Sequence, residues 1–240
     1  MKKKTRNLVI AGTAAVILVC TGGYMFMQDY LGNKIKIHQV IASADSAAAG
    51  GSNTANTVPG ARNATVSGEQ LNGNWAITGD SRVYFSVDTT KEKVNFENDA
   101  VNGKWIINLN DAGSMKGQGS IDMSHINSGN EKRDRHLKEP DFFDIEKYPN
   151  AEFTASSFEG LLPEWQEGTA YDFTMNGVLT VRGIDKDVTF SGKALYENEQ
   201  VKLSGTTYVT FGDFGLERPK SVLLSAEKDI TVQLELVLKR

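Results

Sequence analysis

At 240 residues the chain has room for one large β domain or two small ones. A formal net charge of −4, a pI near 5.5 and the lack of a basic stripe with interleaved aromatics exclude the usual electrostatic footprint of a nucleic-acid binder. Cys20 is the single cysteine, so no intrachain disulfide can form and stability must come from the core.

Lys2, Lys3, Lys4 and Arg6 lead into an almost wholly apolar run from Leu8 to Met27. A helix of about twenty residues rises about 30 Å, the hydrocarbon thickness of a bilayer. The cationic lead belongs on the cytoplasmic side. Residues 1–30 are therefore expected to be a single-pass anchor in the cell membrane, with the rest of the chain outside. A cleaved signal peptide, which would leave a secreted chain, shares the basic start, but its apolar core is shorter, about 7–15 residues. Ala42-Ser43-Ala44 lies far beyond the run for a cleavage site, and Val19 stands before Cys20 where a lipoprotein wants a small residue.

Residues 31–72 are expected to be a flexible linker. From Ile41 the composition shifts to Ala, Ser, Gly, Asn and Thr, too poor in apolar surface to offset its ordering entropy. Such a stretch reaches on the order of 30 Å as a random coil. Just before it, Ile35, Ile37 and Val40 fit either a short strand or a helical turn.

From Trp75 onward the hydrophobic period is two. Val83, Phe85 and Val87 share one face, and Ile230, Val232, Leu234, Leu236 and Leu238 repeat the pattern. Further strands are expected near 94–96, 104–109, 117–123, 152–158, 171–181, 188–196 and 201–211. Turn chemistry marks the connections at Gly103, Asn110-Asp111, Gly160, Glu167-Gly168, Gly183 and Glu197-Asn198. Short helical turns are expected near 130–139 and 218–224. Residues 73–240 thus read as one all-β domain of about eight antiparallel strands, a barrel or a sandwich. Periodicity does not decide whether its large inward aromatics fill the interior or line a channel.

Several motifs then fall in a telling order. Trp75-x-Ile77 precedes Ser81-x-Val83-x-Phe85-x-Val87. Ile121-Asp122, Ser128-Gly129-Asn130, Arg133-Asp134-x-His136-Leu137 and Asp141-Phe142-Phe143-Asp144 follow, then Tyr148-Pro149 and Phe153. Gly177-x-Leu179-Thr180-x-x-Gly183 with Lys186-x-Val188, and finally Gly212-Asp213-Phe214-Gly215-Leu216, complete the set. This series resembles the YceI-like polyisoprenoid-binding family from about Trp75 to the C-terminus. It departs at Val94-Asn95-Phe96, where a Gly-x-Phe motif is usual. The resemblance implies a lipocalin-like β-barrel outside the cytoplasm whose apolar interior holds an isoprenoid, a quinone-like molecule or another long-chain lipid.

On that reading Phe85, Trp105, Phe142, Phe143, Phe153, Phe173, Met175 and Phe190 are the candidate ligand-lining residues, although each alone also suits a plain core. Arg133, Asp134 and His136 read in two ways: as a grip on a lipid headgroup at the barrel mouth, or as a hydrogen-bonded turn stapling Phe142 and Phe143 onto the barrel. His125 and His136 lack the spacing of a metal site, so no metal or other cofactor is expected. No nucleophile accompanies His136 and Asp134, so no catalytic residue is assigned. Binding or carriage of a lipid near the membrane is the expected function. A surface adhesion or scaffold module with a solid barrel is the main competitor, and an enzyme acting on a lipid the lesser one. A homodimer stays open.

Overall fold

The computed structural model describes residues 32–41, 65–90, 92–218 and 229–240. Its strands are β1 (Thr65–Ser67), β2 (Gly73–Ile77), β3 (Arg82–Asp88), β4 (Lys93–Asn98), β5 (Val101–Ile107) and β6 (Lys116–Asp122). They continue with β7 (Asn150–Glu159), β8 (Glu164–Gln166), β9 (Ala170–Val181), β10 (Ile184–Glu197), β11 (Gln200–Val209) and β12 (Ile230–Lys239). The expected anchor at residues 1–30 lies outside the described residues. Among those that are described, no helix is long and apolar enough to cross a membrane.

Alternation of apolar and polar residues drives the sheet to close. β2, β5, β6, β7, β9, β10, β11 and β12 pair neighbour to neighbour, all antiparallel. The ring is closed by β11 with β12 and by β12 with β2. The result is an antiparallel barrel of eight strands, which removes every free edge from the ring. β3 and β4 extend it as a hairpin. β12 pairs with β2 through Leu238 and Lys239, and with β3 through residues 230–235. The break between β2 and β3 is pinned by the buried Ser81, whose Oγ accepts from the Val237 N–H at 2.9 Å and donates to the Val237 carbonyl at 3.3 Å.

The barrel has two unlike ends. One is shut by a helical turn at Gly68–Leu71 and the small β1–β8 sheet. Leu71, Trp75, Met115, Trp165 and Val201 are buried there. The Trp75 and Trp165 indoles donate to the carbonyls of Leu71 and Leu162 at 2.8 and 2.9 Å. The other end carries helix α1 (Glu131–Lys138). The side chain of Asn130 caps it by accepting from the N–H groups of Lys132 and Arg133.

Three expectations need correction or completion. Gly103 is no turn: it lies inside β5, and a Cβ there would come within 2.2 Å of the Gln118 carbonyl oxygen, so close strand approach is what demands glycine. Both described parts of the range read as linker, 32–41 and 65–72, are docked on the barrel. Residues 65–72 form β1 and the helical turn, two elements that the periodicity does not register because each is too short. The helical turn expected near 218–224 falls almost wholly outside the described residues, while the one near 130–139 is α1.

Residues 32–41 run as an extended strap down the outside of the wall. The Asn33 N–H donates to the Glu92 carboxylate, and the Asn33 side chain accepts from the Asn95 N–H, both at 3.2 Å. Asn95 also donates from its side chain to the Ile35 carbonyl at 3.0 Å. The His38 N–H donates to the Tyr84 hydroxyl and the Val40 N–H to the Glu235 carboxylate. The strap thereby buries outward-facing polar groups of β3, β4 and β12 that open alternation would leave in water. Burial pushes the Tyr84 phenol above its ordinary range.

Candidate functional site

The inward faces of the strands enclose an apolar cavity of about 120 Å³ in the half of the barrel nearer α1. Val83 and Phe85 of β3, Ile121 of β6, Phe153 of β7, Leu179 and Val181 of β9, and Val232, Leu234 and Leu236 of β12 line it. Trp105 and Phe190 lie toward the filled end. Met123, Phe143, Phe214 and Leu216, all from connections at the α1 end, cover it. Several inward residues, among them Phe85, Leu179, Val181, Val232 and Leu234, are only half-buried, because their side chains face this space instead of packed neighbours. Gly177 makes room for the floor: a Cβ there would stand 2.5 Å from Phe153 Cζ. The Phe153 ring meets Phe190 edge-on, with centroids 5.2 Å apart.

The structure gathers five of the eight sequence candidates on the cavity wall: Phe85, Trp105, Phe143, Phe153 and Phe190. It sets the other three apart. Phe142 stands behind Phe143, edge-on at 4.9 Å, and reaches Phe211 on its far side. Phe173 and Met175 share the inward face of β9 but lie toward the filled end, opposite Gly192 and Phe190, and are buried in packed core. The aliphatic wall, Val83, Ile121, Leu179, Val181, Val232 and Leu234, is absent from a list built on aromatics. The inward parity of each strand is the signal that finds it.

The three residues proposed for the mouth behave differently from one another. Arg133 is 7% exposed. Its Nε donates to Ser128 Oγ at 2.8 Å, its Nη2 to the carbonyls of Ser128 and Gly32 at 3.0 and 3.2 Å, and its guanidinium lies 5.4 Å from the Phe96 ring centre. Asp134 accepts from the Ser128 N–H at 2.9 Å and from the Ser128 hydroxyl. Arg133 thus staples the 128–134 segment onto β4 and the strap, while Asp134 ties the segment to itself through Ser128. His136 is exposed, with Nδ1 3.1 Å from a Glu139 oxygen and its ring 6.2 Å from Phe142. Among the described residues His136, Glu139 and Asp141 bring metal-capable atoms within 4.8 Å of one another, all on the open surface. His125 pairs instead with Asp99, at 3.0 Å.

Charge also anchors the cover. Burial raises the Asp213 carboxyl, but Lys186 at 2.6 Å and the Thr210 donors outweigh it and hold the group below the usual carboxylate range. Asp213 lies within the short helical turn Gly212–Phe214, directly before Phe214. On the opposite side of the cover, hydrogen bonds from Ser124 keep Asp122 low beside Met123.

Comparison with known proteins agrees with this architecture. The model of the YceI-like domain matches residues 75–238. A UPF0312 protein of Pseudomonas putida strain F1 is 30% identical over 112 residues, covering 44% of this chain and 55% of its own. One from Pseudomonas syringae pv. tomato is 28% identical over 102 residues, covering 42% and 53%. The chain thus spans about half the length of these relatives. Among solved structures, Burkholderia cenocepacia BcnA superposes with a TM-score of 0.54 at 17% identity, over 68% of this chain and 98% of its own. A polyisoprenoid binding domain from Saccharophagus degradans, implicated in plant cell wall breakdown, gives 0.51 at 14% identity, over 69% and 97%. At these identities the two structures speak to the fold.

Proposed function

The chain belongs to the YceI-like domain family, and from that footing we propose that its barrel binds and carries a polyisoprenoid, quinone-like or other long-chain amphiphile outside the cytoplasm, tethered to the membrane by residues 1–30. The observation that carries this reading is a closed ring of strands around a cavity whose wall is almost wholly apolar side chains. Burying each CH₂ is worth roughly 0.8 kcal/mol, so a long chain needs volume and shape more than polar chemistry. The cover consists of the side chains of Met123, Phe143, Phe214 and Leu216, and a chain longer than the cavity must displace some of them to enter. The Saccharophagus domain, described as polyisoprenoid-binding, supports the ligand class. The barrel acts here as a carrier and performs no reaction on its cargo.

The test is organic extraction and mass spectrometry of purified protein lacking residues 1–27, paired with native mass spectrometry. A stoichiometric prenyl or acyl chain supports the proposal. A barrel that is empty and takes up neither added quinone nor polyprenol overturns it.

A further inference from the structure

The strap begins at one particular end of the barrel, beside α1. Gly32 accepts from Arg133 of α1, and Asn33 is bonded to Glu92 and Asn95 near the tip of the β3–β4 hairpin. Both contacts stand at the α1 end, where the cavity lies. From Met27, the end of the apolar run, to Gly32 the chain advances five residues, at most about 18 Å when fully extended. Residues 42–64 are no part of that span. They join two docked points, Ile41 on the outer wall and β1 at the filled end.

We propose that the strap fixes the barrel's orientation on the bilayer, with the cavity cover turned to the lipid surface and the β1–β8 end turned away. The inference rests on the reading of residues 1–30 as a membrane anchor. A tether of residues 31–72 would let the domain tumble and present any face. A tether of about five residues attached beside α1 holds the cover within one short reach of the headgroups. The same end offers a fitting contact: Ile184, 40% exposed, projects from the tip of the β9–β10 hairpin, beside Val181 of the cavity wall. A lipid leaving the bilayer would then meet the cover without crossing open water.

The experiment uses the full chain with Cys20→Ser, reconstituted in vesicles of equal parts phosphatidylcholine and phosphatidylglycerol with an acceptor dye on a headgroup. A donor dye is placed on Glu146→Cys, at the α1 end, or on Ala112→Cys, at the filled end. Energy transfer severalfold greater from position 146 is expected. A flexible insert between residues 31 and 32 should even the two out, whereas shortening 42–64 should leave the difference intact. Equal transfer in the parent chain, or a reversed preference, overturns the proposal, as does a bias that follows the length of 42–64. Release of the protein from vesicles by a salt wash also overturns it, by removing the anchor. Loss of the carrier reading registers separately, as an absence of extractable lipid with the asymmetry intact.

Discussion

Val40 donates its backbone N–H to the carboxylate of Glu235 at 2.8 Å, across 195 residues of sequence. Glu235 is fully buried, and burial raises its carboxyl above the ordinary glutamate range despite the added donors Gln233 and Ser204. A raised folded value means that this group's stabilising contribution is complete below the unfolded value, near 4.5, and is lost as pH rises through the folded one. Glu235→Gln should therefore gain on the parent as pH climbs from acid to neutral. Urea midpoints for both proteins across that range check this, and parallel curves would show that Glu235 titrates alike folded and unfolded.

Val232 faces the cavity from β12 and is only half-buried. Val232→Trp should fill the space with stability held to within about 1.5 kcal/mol of the parent, since the added volume has somewhere to go. Uptake of a fluorescent polyprenol should fall by an order of magnitude or more. Unchanged uptake in a stable variant would place the ligand elsewhere.

Arg133 separates stapling from headgroup binding. Its fork reaches Ser128 and Gly32 together, a geometry a lysine cannot reproduce. Arg133→Lys should lower stability by about 2 kcal/mol, because buried acceptors lose charged donors. It should also speed hydrogen exchange at the strap's start, near 33–35. A variant of parent stability with weakened ligand binding would instead favour the headgroup role.

Asp213 should act as an acid-sensitive catch on the cover. Its carboxyl is held low by Lys186 and Thr210, so its contribution is present above the unfolded value and is lost as pH falls through the folded one. Asp213→Asn should remove about 1.5 kcal/mol at neutral pH and speed ligand exchange. The gap to the parent should close on acidification. Exchange rates followed by fluorescence transfer between loaded and empty protein measure it.

How much of this is visible in the residues depends on which physical rule fixes each feature. Period-two alternation gives the face a side chain uses, so the barrel and its inward set follow from positions such as 83, 85 and 87. It gives no height along the barrel axis. Leu179 and Met175 share one face of β9, yet one lines the cavity and the other lies in packed core, because pairing register and strand stagger set that height. Phe142 was beyond reach for another reason: it sits in an irregular turn where alternation has no meaning. The strap is a third case. Ile35 and Ile37 make too short a pattern to outweigh polar neighbours, and most of its bonds run through backbone N–H and carbonyl groups that no sequence distinguishes.

The seam has a temporal meaning as well. β12 is the last strand in chain order and touches three others, β11, β2 and β3. A nascent chain can form the hairpins from β5 to β11 early, but the ring stays open until residues 230–239 arrive. Closure then waits on the longest-range pairings in the domain, which form slowly. Until that moment no interior exists, so on the proposed function a ligand can bind only after the whole barrel has been made.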